Sequence, residues 1–110
     1  MVFISVDEDR VRELAESLSK EQKSWDDWVW LFAEAELRLR PACEVGVFYS
    51  EWGDTRQIEV NPDLLVAQPP ERDIRELAGE ISKLRPWFQD LHWFIAERRI
   101  IYDSAKGAAE

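Results

Sequence analysis

The chain has 110 residues, 14 basic and 23 acidic side chains and a formal net charge of -9. Length and composition (45% hydrophobic, 34% charged) describe one folded domain spanning residues 1–110. Acidity of this size disfavours direct binding to nucleic acid or to anionic membranes, because phosphate contacts come from Lys and Arg.

A single cysteine, Cys43, rules out a disulfide within the chain and disfavours a thiolate metal site. Met1–Val6 is too short for a signal-peptide core, and no apolar run approaches the roughly 18 residues that span a bilayer. These features predict a cytoplasmic protein. The charge is uneven: residues 1–70 hold 15 acids and 7 bases, residues 71–110 hold 8 and 7. The acidic excess therefore lies in the first two thirds.

In chain order, Met1–Val6 is a short apolar run. Asp7 suits a helix N-cap, with Glu8 and Asp9 in the first turn, where the helix dipole favours negative charge. Val11, Leu14, Ala15 and Leu18 recur at helical spacing, which predicts a helix over Glu8–Lys20. Glu21–Ser24 reads as a connection. The segment Trp25–Glu36 then sets Trp25, Trp28, Trp30 and Phe32 beside Asp26, Asp27, Glu34 and Glu36. From Trp28 the pattern alternates. Val29, Leu31, Ala33, Ala35, Leu37 and Leu39 fall on one side, and Trp28, Trp30, Phe32, Glu34, Glu36, Arg38 and Arg40 on the other. That alternation predicts a long strand, against a competing helical propensity of Ala, Glu, Leu and Arg.

Pro41-Ala42-Cys43 reads as a turn, Glu44–Trp52 as a second strand, Gly53-Asp54 as a hairpin turn and Arg56–Val60 as a third strand, closed by Asn61-Pro62. Pro69-Pro70-Glu71 opens a helix whose stripe is Ile74, Leu77, Ile81, Leu84, Phe88 and Leu91. Pro86 is expected to kink it or to end it near Leu84 and start another. Residues 92–102 suit helix or strand; the Ala-rich tail favours helix. The expected fold is α+β: a three-stranded antiparallel meander with an N-terminal helix and one or two C-terminal helices packed on it, in the order α-β-β-β-α-α.

Little in the sequence points to an enzyme. His92, the single histidine, sits beside Trp93 and Phe94 and reads as a packed residue with one hydrogen bond. Cys43 has no basic neighbour in sequence to activate it. The four glycines form no phosphate loop. On a strand, Glu34 and Glu36 would share a face roughly 7 Å apart, but Arg38 and Arg40 continue that face and would neutralise it in solvent. No catalytic residue, metal site or cofactor is expected.

The aromatics carry the stronger signal. Trp52 sits beside the Gly53-Asp54 turn, flanked by Glu51 and Asp54, as an interface anchor would. In size, acidity and aromatic content, though in no defined motif, the chain resembles the small acidic immunity proteins that bacteria use against secreted toxins. The resemblance implies a non-enzymatic protein, monomer or homodimer, that neutralises a basic protein partner. The expected contacts are Trp52, Glu51, Asp54, Glu34 and Glu36. Three alternatives stay open. One is a small-molecule-binding domain with a pocket of Trp28, Trp30 and Phe32. Another is an inhibitor that mimics nucleic acid, and the last is a homodimeric module joined by its aromatic sheet face.

Overall fold

A computed structural model describes residues 2–43 and 57–109. The element order is β1 (Val2–Ser5), α1 (Glu8–Ser19), α2 (Trp25–Leu39), β2 (Gln57–Val60), α3 (Glu71–Leu84) and α4 (Phe88–Ala109), with short 3-10 turns at Arg40–Ala42 and Pro62–Leu64. The described residues are mostly helical, and their sheet has two antiparallel strands. This corrects the expected meander and the α-β-β-β-α-α order. The expected strand at Glu44–Trp52 and the turn at Gly53-Asp54 lie outside the described residues.

The main correction falls on residues 28–40, which form most of helix α2. Ser24 is its N-cap, and its Oγ accepts a hydrogen bond from the Asp27 N–H at 3.2 Å. Asp26 and Asp27 lie in the first turn, at the favourable end of the dipole. The buried set is Trp28, Val29, Phe32, Ala33, Ala35, Glu36 and Leu39. Those positions follow the helical period, not the period of two. The alternation misleads because α2 packs against both α3 and α4. A helix covered on two sides carries apolar residues over most of its girth, so apolar residues also fall at every second position.

The N-terminal apolar run is also strand, so a helix does not come first. Val2, Phe3, Ile4 and Ser5 pair with Val60, Glu59, Ile58 and Gln57. Ile4 and Ile58 face the core, and Phe3 faces out. In α1, Asp7 caps as its sequence suggests: its Oδ1 accepts from the Asp9 N–H at 3.0 Å. Val11 and Leu18 are buried along one stripe. Helix α3 buries Ile74, Leu77 and Ile81 and ends at Leu84. Its C-cap is Arg85, in the left-handed region at φ 48° and ψ 56°. Pro86 follows and α4 begins at Phe88, so the proline separates two helices. The ambiguous segment 92–102 lies within α4.

Two cores form. The larger joins α1 to α4 through Val11, Trp28, Phe32, Ile81, Leu91 and Ile95. The smaller joins the sheet to the C-terminal ends of α2 and α4 through Ile4, Leu39, Val60, Ile101 and Ala105. At the middle of α4 the guanidinium of Arg98 is fully buried. Its Nε donates to Glu36 Oε2 at 2.6 Å, and its Nη1 donates to Glu97 Oε1 at 3.1 Å and to the Phe94 carbonyl at 3.2 Å. Phe32 and Phe94 stack at 5.8 Å, and both rings lie near the guanidinium carbon, at 4.9 and 5.5 Å. This cluster bolts α2 to α4.

Arg98→Met leaves two buried carboxylates without their cation and is expected to destabilise the fold by about 3–5 kcal/mol. Adding Glu36→Leu should recover part of that loss, since it removes one of the two stranded carboxylates and leaves only Glu97 without its cation; urea unfolding midpoints of the three proteins read both effects. At the end of α3, Arg85→Gly removes left-handed strain of roughly 1–2 kcal/mol, less the extra chain entropy of glycine. Its expected outcome is a gain of up to about 1 kcal/mol in the same assay.

Candidate partner-binding surface

Buried α2 and α4 leave few large apolar side chains outside. Three of those exposed lie close in sequence where α3 meets α4: Leu84 (53% exposed), Trp87 (73%) and Phe88 (48%). Isolated exposed apolar residues are ordinary, whereas three within residues 84–88 at a helix–helix junction mark a candidate contact surface.

This corner is held from three directions. The Trp25 indole N–H donates to the Pro86 carbonyl at 2.8 Å, tying the first turn of α2 to the linker. Pro86 itself is buried, and the left-handed Arg85 sets the direction in which the chain leaves α3. Phe88 is tilted against the His92 ring at 6.3 Å, and His92 meets Trp28 edge-on at 4.5 Å. A line of rings thus runs from the surface into the core. Rings fixed in this way lose little entropy when a partner covers them.

The charges around the corner are of both signs. The Trp25 bond brings in the first turn of α2, where Asp26 and Asp27 are exposed. Asp90 lies in the first turn of α4, against Lys83 and Arg85 at the end of α3.

The residues expected from sequence fare differently. Glu51, Trp52 and Asp54 lie outside the described residues. Glu34 is partly exposed and pairs with Arg38 at 3.2 Å, one helical turn on. Glu36 is 1% exposed and held by Arg98. The two acids do not share a solvated strand face, because α2 is a helix and places them about 200° apart around its axis. Trp28 and Phe32 are core residues, with Trp30 partly buried against them, so Trp28 and Phe32 do not line an open pocket. Sequence reasoning missed Trp87 and Phe88 as surface residues. The signal was Pro86: a proline that splits the Ile74–Leu91 stripe frees Leu84 and Phe88 from one continuous buried face.

The titratable groups inside give little chemistry. Burial pushes the Cys43 thiol up to about 11, and the Glu36 carboxylate adds to the shift. The thiol stays protonated at neutral pH and is a poor nucleophile. Burial holds His92 below its ordinary value, with Glu21 opposing the shift. Its Nε2 is buried without a hydrogen-bond partner among the described residues. Ring contacts, in place of the expected hydrogen bond, hold it. Burial raises Glu97, while Arg98 pulls it back down.

Comparison with known protein families, characterised proteins and solved structures finds no match to this chain. No described helix is long and apolar enough to cross a membrane.

The raised Glu97 has a pH signature. Its folded form binds its proton more tightly than the unfolded form, so its contribution to stability falls as pH rises above about 4.5, its ordinary value. Glu97→Gln removes that contribution. Compared with the native chain, the variant is expected to gain relative stability as pH increases from 4.5 toward neutral, read by urea unfolding at a series of pH values.

Proposed function

We propose that this chain is a non-enzymatic binding protein that neutralises a basic protein partner, in the manner of a toxin-immunity protein. The observation that carries the reading is the exposed apolar corner of Leu84, Trp87 and Phe88 on a chain of net charge -9. Large aromatic side chains are among the residues that dominate binding energy in interfaces. The chain's net negative charge speeds encounter with a cationic partner and repels anionic ones.

The geometry revises the expected contacts. Trp87 and Phe88 become the anchors, with Asp26, Asp27 and Asp90 as the nearby acids. Glu34 stays at the periphery. Glu36 leaves the contact set, since reaching it requires breaking the Arg98 cluster. Trp52, Glu51 and Asp54 remain proposed contacts.

The test begins with capture of partners from the source cells on the immobilised chain, eluted with rising salt and identified by mass. A basic protein released at elevated salt supports the reading. Recovery of no basic protein counts against it. With the partner in hand, the association rate is expected to fall steeply between low and physiological ionic strength. Trp87→Ala is expected to weaken binding by about 2 kcal/mol or more, as a central anchor does. A salt-independent rate removes the electrostatic part, and unchanged affinity in Trp87→Ala removes the anchor. Trp52→Ala in parallel decides whether that residue shares the interface. Concentration-dependent dimerisation of the free chain, lost in Trp87→Ala, would instead assign the corner to a second copy.

A further inference from the structure

On the α2–α4 face, beside the buried Arg98 cluster, a cleft of about 140 Å³ is lined by Ala35, Arg38, Arg98, Arg99, Tyr102 and Asp103. The lining itself holds three arginines and one aspartate, an unusual concentration of cations in a chain in which acids outnumber bases. Arg98 forms part of the wall, and its charge is matched by Glu36 and Glu97. The other two arginines have spare capacity. Glu34 engages Nη2 of Arg38, whose Nε is buried without a hydrogen-bond partner among the described residues. Arg38 lies over the Tyr102 ring at 5.9 Å. Arg99 is half-buried and has no carboxylate within ion-pair distance among the described residues.

We propose that this cleft binds a small oxyanion, a carboxylate or an inorganic phosphate, between Arg38 and Arg99. Guanidinium groups present planar sets of N–H donors that match such oxygens in pairs. The volume is that of roughly four to five waters in the liquid, which suits an anion of a few heavy atoms and excludes a nucleotide. The chain's overall negative charge does not forbid the site. At physiological salt the screening length is about 8 Å, so remote carboxylates count for little beside two adjacent guanidiniums. Asp103 on the wall and Glu34 on Arg38 are the opposing charges at the cleft, and they limit the affinity.

The experiment titrates phosphate and, separately, acetate into the intact chain at constant ionic strength balanced with chloride. Calorimetry and the arginine Nε–H resonances are the readouts. Saturable binding of one of the two anions, moving the Arg38 and Arg99 signals, is expected, and the anion that saturates names the source. Arg99→Gln should bind about tenfold more weakly, the loss expected of a charged hydrogen bond. Asp103→Asn should bind roughly two- to fivefold more tightly, because an exposed repulsion is removed. A structural role for these residues does not produce opposite shifts. Arg38→Lys keeps the charge beside Glu34 and loses the planar fork, and weaker binding is expected. Saturation by neither anion overturns the proposal, as does native affinity in Arg99→Gln. Native affinity in Arg38→Lys overturns the share given to Arg38. Arg99 is half-buried and Asp103 exposed, so both variants keep the fold.

Discussion

A guanidinium taken out of water has to be matched by carboxylates, and in this protein the match decides how the two central helices meet. Arg98 comes from the middle of α4 and Glu36 from the second half of α2, 62 positions earlier. Their 2.6 Å contact fixes both the separation and the register of the helices. Apolar packing alone tolerates small slides between helices, whereas a directional charged hydrogen bond in a dry interior does not. The stacked Phe32 and Phe94 rings close the cluster from water. Cys43 feels the same field, being raised by Glu36 and lowered by Arg98, so the cluster also borders the smaller core.

The surface follows from this arrangement. With α2 covered by both α3 and α4, its tryptophans are used at different depths. Trp28 goes to the core, and Trp25 reaches the α3–α4 linker, where one indole hydrogen bond ties it to α2. Trp87 and Phe88 are exposed just after that linker, and Phe88, His92 and Trp28 form one line of rings. The same helix pair, further along, opens the arginine-lined cleft.

Much of the local structure was legible. Asp7 ahead of a helical stripe located α1, and the Ile74–Leu91 stripe broken by Pro86 located the boundary of α3 and α4. Both are local signals, set by capping and by the missing N–H of proline. Residues 28–40 were misread because α2 has two buried sides. Glu36 reinforced the error, since a charged residue ordinarily marks the solvent face. Here Glu36 and Arg98 hide each other, and neither shows in sequence that a partner 62 residues away satisfies it.

What the sequence by itself determined was the acidity, the positions of caps and breakers, and the abundance of large rings. These depend on composition and on neighbours within a few residues. Only the tertiary structure decided which rings are core and which are surface, that Glu36 is buried while Glu34 is not, and that Arg38 and Arg99 line one cleft. Burial and charge matching are set by elements distant in sequence, and the free energy of a charged or aromatic side chain depends on what those elements place around it.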